Sequence, residues 1–258
     1  MFNYISSHND SYIVIENNKI LIIKNNKINR IEHSVDISIV EGNYFVDKEK
    51  RLYKVEEDIE FLIRLDKSVS KMCLYKGILF IADRFGNVYT WSKSDKKLIM
   101  GNLCYTTSIV VYDDKIITSD KYGRIRISDM NGKIISYVFL EDKPIISMCM
   151  SKNLVVATKS KVFLLNNELK IIDTFEYEGL RKVINFNENV LILCNNSVIL
   201  NDNFNNKPFD FCYDAFTKNN DILFIDKNKQ LILNSEFITN LDASYDNNFN
   251  QLRNIEEF

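Results

Sequence analysis

The chain repeats itself. An apolar run, an acidic residue and a polar turn closed by glycine lead into an alternating run at Ile81-Ala82-Asp83-Arg84-Phe85-Gly86-Asn87-Val88-Tyr89. The same order returns at Thr118-Ser119-Asp120-Lys121-Tyr122-Gly123-Arg124-Ile125-Arg126. A tight glycine turn between two such runs marks a hairpin. Looser copies cover the rest of the chain. Residues matching Asp83 stand at Glu16, Asp47, Asp83, Asp120, Thr158, Cys194 and Asp226, spaced 31 to 38 residues apart. Apolar runs such as Tyr12-Ile13-Val14-Ile15 and Ile222-Leu223-Phe224-Ile225 precede them, and polar turns follow. A unit of this length has room for four short strands and cannot bury its own apolar faces. Seven such units must therefore stack on one another. The pattern predicts an all-β, compact, seven-bladed β-propeller of the WD-repeat type with degenerate repeats.

In the third unit the expected strands are Val69 to Leu74, Ile78 to Ala82, Asn87 to Trp91 and Lys97 to Gly101. The propeller takes residues 1–241, and 242–258 form a short polar, acidic tail. In that tail Phe249, Leu252 and Ile255 are three apart, a spacing shared by a short partner-dependent helix and a frayed end. Ring closure has two solutions. Phe2 to Ile5 are either the inner strand of the first blade or a clasp paired with the last.

Composition narrows the function classes. With 46% apolar residues but only 7 Gly and 2 Pro, the chain is neither disordered nor collagen-like. Ile fills the strands. Asn, which tolerates the left-handed region, stands at turns such as Asn17-Asn18 where Gly would be usual. Basic and acidic residues number 33 and 35, so no overall positive field draws the protein to nucleic acid or membrane. Any such contact needs a local patch. Runs such as Ile78-Leu79-Phe80-Ile81-Ala82 are far too short to span a bilayer. The five cysteines are scattered without a C-x-x-C pair, and the N-terminus shows no basic and apolar leader. The expectation is a reduced, intracellular, soluble protein with no membrane partner.

No catalytic motif is found: no glycine-rich phosphate loop, no G-x-S-x-G, no H-E-x-x-H. His8 and His33 are the only histidines, which leaves little for imidazole catalysis or a metal site. A hairpin pattern supplies no dinucleotide-type pocket at the ends of parallel strands. Glu56-Glu57 and Asp113-Asp114 fall in turns, where solvated charge is expected, and Trp91 reads as blade core. The chain reads as a platform, with no cofactor of its own.

The two glycine hairpins carry a narrower signal. Ala82-Asp83-Arg84-Phe85-Gly86-Asn87-Val88-Tyr89 is similar to the A/S-D-K-x-G-D-V-Y motif of the non-catalytic WD-repeat subunit of the eukaryotic tRNA (guanine-7-)methyltransferase. One blade later, Ser119-Asp120-Lys121-Tyr122-Gly123-Arg124-Ile125-Arg126-Ile127-Ser128 resembles that family's second motif, A-D-R-D-x-K-I-R-V-S. The resemblance covers residues 78–147. It departs from the family at Asn102, where a His is usual, and at Glu141-Asp142, where a Gly-His pair is usual. It implies a heterodimer in which the catalytic partner holds S-adenosylmethionine and the target guanine. The propeller would dock on that partner, stabilise it and help hold the tRNA, in the nucleus and also, in some cases, the cytoplasm. The resemblance assigns the partner contact to Arg126 first, with Arg124 and Lys121 beside it, and RNA contact to Arg84 and Lys121. Arg124 and Arg126 are two apart on one strand and so share a face. Two other roles compete with this one: a generic WD-repeat scaffold of another complex, and a propeller enzyme whose carboxylates converge on the axis.

Overall fold

The structure, a computed structural model, describes residues 5–25, 27–195, 197–202, 205–209, 212–218, 221–234 and 236–241. Twenty-eight strands run from β1 (Ile5–His8) to β28 (Glu236–Asn240), and the described residues contain no helix. They form seven four-stranded sheets, each made of four consecutive antiparallel strands. Blades one to seven take residues 5–32, 37–64, 69–101, 106–139, 147–176, 180–209 and 212–240. The third comprises β9 (Val69–Tyr75), β10 (Ile78–Asp83), β11 (Asn87–Ser92) and β12 (Asp95–Gly101), each within two residues of expectation. Residues 242–258, with the tail helix weighed above, lie outside the described residues.

First strands contact one another around the ring. From β1 the contacts pass through β5 (Ile37–Glu41), β9, β13 (Thr106–Tyr112), β17 (Ser147–Met150), β21 (Leu180–Phe186) and β25 (Cys212–Lys218), then return to β1. These strands line the axis. The second strands are covered on both sides, which is why they read as unbroken apolar runs. In β2 (Ser11–Glu16), Ile13 and Ile15 pack with Val40, Phe45 and Val55 of blade two. Tyr12 and Val14, on the other face, pack with Leu223, Ile225 and Leu231 of blade seven. Each apolar side chain buried this way contributes about 1.5–3 kcal/mol against exposure. Trp91 lies in the seam between blades two and three, as expected of a core residue.

Ring closure follows from the same packing. Ile5 pairs with Val14 inside its own blade, which selects the inner-strand solution for that residue; Phe2 lies outside the described residues. Among the described residues blade seven meets blade one through side chains, and no strand is shared between them. Tyr12 adds a bond from its hydroxyl to Asp221 Oδ2 at 3.0 Å across that seam.

The repeat anchors all stand at or just after the end of a second strand, and the four aspartates among them have a common task. Asp83 Oδ1 accepts from the Phe85 and Asn87 amides at 2.8 and 2.9 Å, and Oδ2 accepts from Asn87 Nδ2 at 2.9 Å. Asp47, Asp120 and Asp226 bond the amides two and four residues on in the same way. The carboxylate satisfies amides that the turn leaves without ladder partners. In blade five Thr158 Oγ1 accepts from the Lys161 amide at 3.3 Å. Blade six has Cys194 instead, and there buried Arg181 reaches the Cys194 carbonyl at 2.8 Å and the Cys212 carbonyl of blade seven. Glycine is required where the turn presses on the next link. Gly123 has φ +74°, and a Cβ there would stand 1.8 Å from the Glu141 carbonyl oxygen. Asn17, with φ +58°, fills the left-handed position in blade one, as its composition suggested.

Truncating a turn carboxylate removes the acceptor of two part-buried turn amides. Asp83→Ala should lower the unfolding free energy in urea by about 1.5–3 kcal/mol, against less than about 0.5 for the exposed Asp95→Ala. Equal effects at the two positions would refute the assigned role.

Candidate docking surface on blades three and four

The basic residues singled out in the sequence gather near the seam between blades three and four. Arg124 and Arg126 lie on β15 (Arg124–Asp129), the third strand of blade four. Both are half-buried and alternate with buried Ile125 and Ile127, so the shared face expected from their spacing is observed. Ile125 and Ile127 pack toward blade five. The arginines therefore face blade three. Arg124 Nη2 lies 3.4 Å from Cys104 Sγ in the connecting loop, and Arg126 Nη1 donates to the Gly101 carbonyl at 2.9 Å.

The two arginines differ in what they have left to offer. Arg124 Nε donates to Asp120 Oδ2 at 2.6 Å, so its fork closes the turn that Asp120 organises. Arg51 does the same for Asp47 in blade two, Nε to Oδ2 at 2.7 Å. This pair belongs to the turn chemistry of the repeat and is not peculiar to the family motif. Burial disfavours the Arg124 charge, but the Asp120 carboxylate outweighs it and raises the pKa. Arg126 has no such support. Among the described residues no carboxylate pairs with it, and its Nε is enclosed without a bonding partner. Burial accordingly lowers its pKa. A half-buried guanidinium in that state is an acceptor-seeking group.

Lys121 and Arg84 hold equivalent turn positions in adjacent blades. Lys121 is half-buried with Nζ 5.1 Å from the Tyr122 ring centroid, and Arg84 is exposed. Arg124 lies 5.3 Å from the same Tyr122 ring. Asn102, where the family has His, bridges the seam by bonding Thr106 Oγ1 at 3.0 Å and accepting from Thr118 Oγ1 at 3.3 Å.

Sequence reasoning missed a charged cluster on the axis. Glu41 on β5, Lys71 on β9, Lys182 on β21 and Asp214 on β25 come from four different first strands and act on one another electrostatically. Lys182 Nζ reaches Asp214 Oδ1 at 2.7 Å and the Ala215 carbonyl at 3.3 Å. Glu41 Oε1 accepts from the Leu74 amide at 3.2 Å. An isolated charge in an otherwise apolar strand was the available signal, as in Ser70-Lys71-Met72. Asp214 is occupied by Lys182 and by the Ala215 amide at 2.9 Å, and no described residues group as metal ligands. None of the five cysteines forms a disulfide.

Burial pushes the Glu41 carboxyl up to about 7, so the folded chain keeps a proton that the unfolded chain releases near pH 4.5. Stability therefore falls as pH rises from about 4.5 through about 7. Burial pushes Lys71 down to about 8 from 10.5, so stability rises again between those values. Glu41→Gln should remove the falling limb and gain about 1–3 kcal/mol over wild type at pH 8, with no gain at pH 4. Parallel urea curves at all pH values would contradict this.

No family model matches the chain, and no curated relative matches it. Solved structures do. The WD40 β-propeller domain of Doa1 superposes with a TM-score of 0.72 at 10% identity, covering 85% of this chain and 87% of that one. A chain of a mitotic checkpoint complex gives 0.73 at 8% identity, covering 93% and 87%. The computationally designed protein Ika8 gives 0.67 at 10% identity, covering 94% and 88%. At these identities the likeness is one of fold. The chain is a seven-bladed propeller with the fold of WD40 domains.

Proposed function

We propose that this propeller is a non-catalytic docking subunit, and that its partner binds at the seam of blades three and four. The observation that carries the proposal is Arg126. Its guanidinium is half-buried beside an outer rim, bonded to one carbonyl, and given no carboxylate by the described residues of its own chain. A partner carboxylate would complete it bidentately. The partner favoured by the resemblance over residues 78–147 is the S-adenosylmethionine-dependent catalytic subunit that forms 7-methylguanosine in tRNA. In that complex the turn residues Arg84 and Lys121 would face tRNA phosphates, and the complex would work in the nucleus. The broader alternative, a scaffold for another complex, uses the same surface and differs only in the protein recovered with it.

Arg124 has a different part in this scheme. Since its fork is held by Asp120, it contributes by keeping the blade-four turn closed, and the contact falls to Arg126.

Co-expression with the catalytic subunit, followed by purification and a 7-methylguanosine assay on tRNA, tests the proposal. Wild type should form a one-to-one complex, and Arg126→Ala should weaken it by about 2–5 kcal/mol without shifting the unfolding midpoint of the propeller. Arg124→Ala should instead lower that midpoint, because Asp120 loses its partner. An Arg126→Glu protein that assembles and activates like wild type would overturn the assignment. Recovery of a different partner that depends on Arg126 would keep the docking surface and select the broader alternative.

A further inference from the structure

Every blade of a propeller presents its fourth strand to solvent as an unpaired edge, with main-chain N–H and C=O groups open to another strand. Proteins blunt such edges with charge or proline. Six of the seven edges here follow the rule. Their sequences include Arg30 in blade one, Glu60 in blade two, Lys97 in blade three, Asp173 in blade five, Lys207 in blade six and Glu236 in blade seven. The exception is β16 (Ile134–Phe139), the edge of blade four. It reads Ile-Ile-Ser-Tyr-Val-Phe, with neither charge nor proline. It pairs only with β15, and Ile134, Ile135, Tyr137 and Phe139 are 54%, 54%, 74% and 55% exposed.

Register ties this edge to the arginines. Tyr137 stands opposite Arg126 and Phe139 opposite Arg124, so the two aromatic rings and the two guanidiniums share one face. The other face carries Val138, which packs with the apolar seam toward blade five. A strand added beside β16 would alternate its side chains between a basic, aromatic face and an apolar one. Arg126 would lie about 9.5 Å away, two strand spacings, a gap that an arginine and a glutamate side chain span together.

The geometry points to strand addition: an extended segment of a partner protein, acidic on one face and apolar on the other, pairs with β16 as a fifth strand of blade four and places a carboxylate on Arg126. This rests on the docking role proposed above and specifies how docking occurs. Charge complementarity chooses the occupant. A second copy of this chain would bring another Arg126 without a carboxylate, and an Arg124 whose partner Asp120 is already taken, so it offers the shared face no free carboxylate. Main-chain pairing along the edge supplies the affinity, and side chains on the two faces supply the selection.

The test uses the full chain and a short synthetic peptide of alternating Glu and Val, followed by fluorescence anisotropy. The peptide should bind saturably. Methylating all its main-chain nitrogens, replacing Glu by Lys, or introducing Tyr137→Glu into the protein should each weaken binding by about tenfold or more. Tyr137 is exposed, so Tyr137→Glu should keep the wild-type unfolding midpoint. Equal binding by the methylated peptide, equal binding by the Lys peptide, absence of binding, or displacement by a short oligouridylate would each overturn strand addition. The two proposals fail separately. Loss of partner capture in Arg126→Glu, together with no peptide binding, would leave the docking role standing and remove only this mode of recognition.

Discussion

The ring depends on second strands that are buried on both faces. A blade of four strands has two apolar surfaces and no means of covering either, so each must be met by a neighbour. Seven blades meet seven neighbours only if the last returns to the first. Here the return is made by side chains: Tyr12, Val14, Leu21 and Ile23 of blade one against Leu223, Ile225 and Leu231 of blade seven. Among the described residues no strand is shared between blades one and seven, and closure there rests on the same packing as every other seam. The turn carboxylates make this packing regular. Asp47, Asp83, Asp120 and Asp226 fix where the second strand stops and the third begins, which holds the apolar positions in register.

Those carboxylates also explain why so much of the fold was legible. The turn needs an acceptor two and four residues before its amides, and in blades three and four it needs glycine where φ is positive, a position that Lys50 and Lys229 fill in the turns of Asp47 and Asp226. Both requirements leave residues in the sequence at a fixed spacing. Strand ends followed to within two residues in blade three. Blades whose anchor is Thr158 or Cys194 were harder to see because their turns are held differently, by a hydroxyl or by Arg181 from another strand. Contacts between blades leave no local trace. The axial group of Glu41, Lys71, Lys182 and Asp214 draws on four blades, and nothing in any one strand announces the others.

The candidate site shows the same boundary. That Arg124 and Arg126 share a face follows from strand alternation and was visible at once. Which of them is available was not, because both look like basic residues of one motif. The structure separates them by their partners. Asp120 claims Arg124 as Asp47 claims Arg51, four residues on in both cases, while Arg126 is left with the Gly101 carbonyl. A feature that looked specific to a family is in part the grammar of the turn. Specificity then rests on the residue the turn does not use and on the neighbouring edge, which lacks the charge that guards the other six.

Hydrogen exchange on the chain alone and mixed with the partner proposed for it, the catalytic subunit of a tRNA (guanine-7-)methyltransferase, tests the central claim most directly. Binding at the seam of blades three and four predicts slowed exchange over residues 121–126 and 134–139, with the other six blade edges unchanged. Protection elsewhere on the ring, with exchange over these two segments unaltered, would contradict it.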